Sequence, residues 1–283
     1  MTENNKLPTT SPRQLKAWIN SMARKNDLAA NTVLQNYMME RFLERVSISK
    51  YRDNIILKGG FLIAAMVGID MRSTMDMDTS VKGLPVSQSE IERIISEILS
   101  MPVNDNVTFE ITSIRPIHEV GTYEDFRLGI LATFFTMRVN LKLDITTGDV
   151  IIPREVDYSF RLMFEDRSIQ VKAYNLNTIL AEKIESILVR NVANTRARDY
   201  YDVYILLATR ADEIEKAELL DALTQKARER NTFIYIEQHD KYIADIRESR
   251  DLLTLWNAYR NKYPYAAGIE FSSIVDCLAE AFT

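Results

Sequence analysis

The clearest period-two pattern in this chain runs through Met137, Val139, Leu141, Leu143 and Ile145, with Arg138, Asn140, Lys142 and Asp144 between them. Such alternation sends one set of side chains to each face of a β-strand. It predicts a strand over 134–146 whose polar face meets solvent or lines a site. Strands are also expected at 107–117, at 126–135 and in NIILKGG, which ends at Gly59–Gly60. A further strand is expected in TMDMDTSV, with Thr74, Asp76, Asp78 and Ser80 on one face.

Helical spacing governs the flanks. Ser11-Pro12-Arg13-Gln14 places a capping serine, a proline at the first helical position and a glutamine two further on, so a helix should start there and carry RQLKAWINSMARK. Val33, Leu34, Tyr37, Met38, Phe42 and Val46 predict a longer helix from about Asn31 to Val46. FLIAAMVGI is helix-like, and 87–100 should be a helix ended by Pro102. The first ten residues read as a polar, frayed tail. From about residue 176 the pattern is helical: NTILAEKIESILVRN, then RARDYYDVYILLATR, then three or four more helices separated by DE, RNTFIY and KYPYAAG. The expected class is α+β, with an α/β domain over 1–170 and a helical domain over 171–283, without internal repeats.

Composition narrows the chemistry. A net charge of −5 means that any nucleic-acid contact needs a local basic patch. Lys226, Arg228 and Arg230 could supply one, although solvated helix charges are the commoner explanation. The single cysteine, Cys277, excludes an internal disulfide and suits a reducing cytoplasm. With only His118 and His239 beside it, a Cys/His zinc site is excluded, and both histidines read as structural or surface residues. Any metal would be a hard ion on Asp and Glu oxygens. The N-terminus lacks a signal-peptide pattern, and the longest apolar run, GFLIAAMVGI, is about half a membrane span. A soluble, cytoplasmic chain with no membrane partner is expected.

The glycine pair and the D-x-D carry the chemistry. On a strand, Asp76 and Asp78 point to one side and could share metal ions, as two-metal phosphoryl transfer requires. Gly59–Gly60 ends a strand and opens a helix, where the backbone can approach an anion closely. Asp144, on the polar face of its own strand, could complete the coordination and take a proton from an attacking hydroxyl. Each feature also has a plain structural explanation: a turn, two solvated acids, and a surface acid beside Lys142 or Arg138. Arg72 and Lys58 could contact phosphate or be ordinary charges. Tyr200, Tyr201 and Tyr204 fit helix packing better than base stacking.

Glycine pair, D-x-D and a later single Asp, in that order, resemble the nucleotidyltransferase superfamily of polymerase-β-like enzymes. LAEKIESILVRNVANTRARDYYDVYILL resembles the signature of the AbiEii/AbiGii toxins of bacterial toxin–antitoxin and abortive-infection (phage-defence) systems: a Lys, some fourteen residues, an Arg, then D-x-x-D. Here these are Lys183, Arg198, Asp199 and Asp202, and the resemblance spans roughly 57–207. Many relatives carry Ser where this chain has Gly60. The resemblance implies a nucleotidyltransferase-type mixed sheet flanked by helices, with a C-terminal helical bundle that completes the nucleotide or acceptor site. It implies a metal-dependent (Mg²⁺ or Mn²⁺) transfer of NMP from a nucleoside triphosphate to an acceptor hydroxyl, on RNA such as tRNA or on a protein. GTP is the first nucleotide to consider, and a cognate antitoxin is implied as partner.

The expected metal ligands are Asp76, Asp78 and Asp144. Gly59, Gly60, Lys183 and Arg198 are the expected nucleotide-binding residues, and Asp199 and Asp202 would orient Lys183 or meet base, ribose or acceptor. Two alternatives stay open: a non-catalytic nucleotide-binding or interaction module, and a kinase using the same site. Taken without the resemblance, Arg198 and Asp202 could be an ordinary i, i+4 surface pair.

Overall fold

A computed structural model describes residues 11–68, 72, 74–84, 87–117 and 125–283; the expected N-terminal tail and His118 lie outside them. The chain divides into two compact units, Met1–Asp149 with Val156–Ala173, and Val150–Glu155 with Tyr174–Thr283.

In the first unit, α1 (Pro12–Lys25) starts as expected, with the Ser11 hydroxyl accepting from the Gln14 amide at 3.3 Å. Then come α2 (Ala30–Ile48), β1 (Ile55–Lys58), α3 (Gly59–Val67), β2 (Asp76–Val81), α4 (Gln88–Leu99), β3 (Val107–Ile117), β4 (Asp125–Phe134), β5 (Met137–Thr147), β6 (Val156–Arg161) and β7 (Ser168–Ala173). The seven strands form one mixed sheet in the order β3-β4-β5-β2-β1-β7-β6. β2 runs parallel to β5 and β1 to β7, and the other pairs are antiparallel. The two strands expected to overlap near residue 134 are separated by a turn at Phe135–Thr136, where Phe135 takes φ +52°. β6 and β7 lie where no strand is expected. β6 is a short edge strand whose only buried side chain is Phe160, so its alternation is faint.

α2 is buried on nearly every side, and its polar side chains survive there because they are paired. Arg45 makes a two-pronged bond to Asp105 at 2.8 and 2.9 Å. Arg41 reaches Glu40, Glu44 and Glu165 at 2.9, 2.9 and 2.6 Å, and Arg167 joins Glu44 and Glu165. Three carboxylates therefore share two guanidiniums. Burial pushes the Glu40 carboxyl up to about 7, against the pull of Arg41 and of the Met163 amide. A cleft of ≈ 810 Å³ lies beside this network, lined by Trp18, Met22, Phe61, Phe160 and Phe164 among others; neither Asp76, Asp78 nor Asp144 lines it.

In the second unit, Asn175 caps α5 (Leu176–Arg190) by accepting from the Thr178 amide at 2.8 Å. Its amide nitrogen donates to the carbonyls of Ile152 and Arg154, which fastens 150–155 to this unit. α6 (Ala197–Thr209), α7 (Lys216–Glu229), α8 (Phe233–Glu237), α9 (His239–Glu248), α10 (Arg250–Lys262) and α11 (Phe271–Glu280) follow. Five helices thus follow α6 where three or four are expected, because RNTFIY itself starts the short α8. Tyr200 and Tyr201 are buried against Phe271 and against Tyr259 and Tyr265. His239 stacks on Phe282 and bonds the Ile236 carbonyl. Among the described residues no helix is long and apolar enough to cross a membrane.

Candidate functional site

At the junction of β1 and α3 the glycines are required by what approaches them. Gly59 has φ +66°, and a Cβ there would overlap the Asp78 carboxylate. Lys58 and Asp78 face each other in the antiparallel register of β1 and β2, which brings that carboxylate over the junction. A Cβ on Gly60 would lie 2.6 Å from Arg72 Nη2. Arg72 is buried, so it is not a solvated helix-end charge. Lys58 is also buried, with its ammonium 2.7 Å from Asp149 Oδ2.

On β2, Asp76 and Asp78 are half-buried on either side of the buried Met77. The parallel register places Asp78 beside Asp144 and Asp76 beside Lys142. Side chains in register point to the same face, so all three acids share one. The next strand adds a residue not singled out from the sequence. Arg127 on β4 is in register with Asp144 and grips it with two prongs, Nε to Oδ1 at 2.8 Å and Nη2 to Oδ2 at 2.7 Å. Hydrogen bonding to Asp144 raises the Arg127 pKa above its ordinary value, and the charges of Asp76 and Asp78 add to this. The signal was in the hairpin: with its turn at 135–136, residues 127 and 144 are equidistant from the bend. Lys142 Nζ stands 3.7 Å from Asp76.

The donor set suits a hard divalent ion, since it consists of carboxylate oxygens alone. The side chains do not converge as they stand: among the described residues no three His, Cys, Asp or Glu groups point at one ion position. Both Asp144 oxygens are on Arg127, and the Asp78 carboxylate lies over Gly59.

The second unit brings the other candidates together. Lys183 on α5 lies 2.5 Å from Asp199 Oδ1 and 3.0 Å from Asp202 Oδ2, both on α6. Asp202 is fully buried, so it forms no surface pair with Arg198. Arg198 bonds Tyr263 instead. Burial works to raise that hydroxyl's pKa, but the bond and charge of Arg198, helped by Lys262, bring it below its usual value. The basic residues Lys226, Arg228 and Arg230 at the end of α7 are engaged within the unit. Lys226 is buried with Glu182 and Glu229, Arg230 bonds Glu185, and Arg228 covers the Phe233 ring.

Over residues 41–277 the chain matches the family described as nucleotidyl transferase AbiEii toxin, type IV TA system. Among solved structures it is similar to a candidate nucleotidyltransferase from Helicobacter pylori, with TM-score 0.51 and 14% identity over 90% of this chain and 96% of that one. JHP933 from Helicobacter pylori is similar at the same TM-score and identity, over 90% of this chain and 93% of that one. At such identity the likeness is one of fold. No curated protein matches the chain. The family match runs from α2 into α11, through both units, and the chain belongs to the AbiEii nucleotidyl transferase toxins of type IV toxin–antitoxin systems.

Proposed function

We propose that this toxin moves a nucleoside monophosphate from a nucleoside triphosphate to an acceptor hydroxyl with the help of a divalent ion. The observation that supports this best is register: Asp76 and Asp78 on β2 share a face with Asp144 on β5, with Asp78 directly beside Asp144. These three would hold Mg²⁺ or Mn²⁺, which when bound polarises the α-phosphate and stabilises the departing pyrophosphate. The acceptor oxygen bonds to the α-phosphorus, the bond from that phosphorus to pyrophosphate breaks, and Asp144 takes the hydroxyl proton. The backbone N–H groups of the first turn of α3, which Gly59 and Gly60 open, would suit a phosphate. Lys183 and Arg198 would neutralise phosphate charge, with Asp199 and Asp202 fixing Lys183.

The family implies an antitoxin partner. We take GTP as the first nucleotide to test, RNA, tRNA first, as the acceptor, and the cytoplasm as the place of action. The test incubates the protein with Mg²⁺, total cellular RNA, a protein lysate and each triphosphate labelled at the α or the γ position. Label from the α position on RNA, lost in Asp76→Ala, is the expected result. Label from the γ position indicates a kinase, and no transfer to any acceptor indicates a binding module. Unchanged α transfer by Asp76→Ala would sink the acid-trio assignment.

A further inference from the structure

Arg127 competes for the carboxylate that the proposed reaction needs. Each Asp144 oxygen accepts from its guanidinium, so an ion drawing on the same lone pairs must displace the fork or bind against its charge. Yet the pair is open to solvent, with 43% of the Arg127 side chain and 19% of the Asp144 side chain exposed, so a solute can reach and exchange it. Its surroundings favour exchange. Asp76 and Asp78 hold the guanidinium electrostatically from the same face, and a divalent ion there would reverse that field. A guanidinium fork fits phosphate as well as it fits carboxylate.

We infer that Arg127 is an exchangeable counter-ion: it holds Asp144 while the acids lack a metal, and turns to the triphosphate when an ion takes the carboxylates. This rests on the metal-dependent reading above. In the empty state Arg127 keeps three crowded carboxylates from repelling one another; in the loaded state it becomes a phosphate-binding residue. Nucleotide and metal then bind cooperatively, because each supplies Arg127 or Asp144 with a new partner.

Thermal unfolding in rising Mn²⁺, with and without a GTP analogue carrying a methylene between its α and β phosphorus atoms, tests this without turnover. The Arg127→Gln variant should reach its half-maximal Mn²⁺ shift at roughly 3–10-fold lower concentration than the parent, since one competing charge at a partly exposed pair is gone. It should also lose most of the additional shift that the analogue gives the parent. Arg127→Lys keeps the charge but not the fork, so it should hold a Mn²⁺ midpoint near the parent's and lose at least half of the analogue's shift. If Arg127→Gln does not fold, Arg127→Lys decides: an undiminished analogue shift overturns the inference. A Mn²⁺ midpoint in Arg127→Gln equal to or above the parent's also overturns it, provided Asp76→Asn still abolishes the parent's response. A parent with no Asp76-dependent Mn²⁺ response removes the metal reading itself, and the inference with it.

Discussion

The carboxylate of Asp78 lies against the Cα of Gly59, in the space that a β-carbon would fill. Gly59 also holds φ +66°, a region costly for other residues. Gly59→Ala should therefore cost roughly 1–3 kcal/mol of stability. Urea unfolding measures it. Part of the steric share should be recovered when Asp78 is also shortened to Ala, which removes the carboxylate but keeps a Cβ 2.9 Å away, so the two substitutions should be non-additive. Additive losses would show that backbone strain alone sets the requirement.

Gly60 is constrained from the other side. A serine here would bring its Cβ to 2.6 Å from the Arg72 guanidinium. Because Arg72 is buried and cannot swing out freely, Gly60→Ser should destabilise by about 1–3 kcal/mol. A melting temperature equal to the parent's would mean that Arg72 yields at no cost.

Lys183→Ala would be a clean test of nucleotide binding if Lys183 were a solvated charge. It is instead the cation shared by two buried carboxylates. Its loss should cost roughly 2–3 kcal/mol, below the value for a fully buried pair because the ammonium still reaches water. Lys183→Arg keeps the charge and separates the roles: the prediction is near-parental stability by urea unfolding with altered triphosphate affinity by calorimetry.

Glu40 makes stability pH-dependent. Its carboxyl titrates near 7 in the folded chain against an ordinary value of 4.5. Between those values the folded state holds a proton that the unfolded state has released, so this group's contribution falls as pH rises from 4.5 to about 7. The slope approaches about 1.4 kcal/mol per pH unit inside that window. Glu40→Gln mimics the protonated acid, and its carbonyl oxygen can replace Oε1, which accepts from both Arg41 and Met163. The variant should show a flatter stability–pH curve and exceed the parent above pH 7. Parallel curves for the two proteins would place the titration elsewhere.

Much of this molecule is legible along the chain because its information is local. The alternation of 137–145, the Ser11 cap, the glycine pair and the i, i+2 acids each depend on residues within one element, and the helix and strand periods report them directly. That Asp76 and Asp78 share a face follows from their i, i+2 spacing alone, while Asp144 joins that face through the register of β2 and β5. What needed the tertiary structure is pairing across elements. Arg127 meets Asp144 only because a hairpin sets the register of β4 and β5. Arg72 and Lys58 look like free cations until the fold buries them. Glu40 looks like a solvated helix residue until α2 is enclosed and three carboxylates must share two guanidiniums. Periodicity says which face of an element is apolar; it says nothing of which charge from a distant strand will arrive there. The sequence by itself determined the family and most of the elements, β6, β7 and α8 apart, and only the tertiary structure decided which charges neutralise one another, because burial and proximity set the energy of a charge.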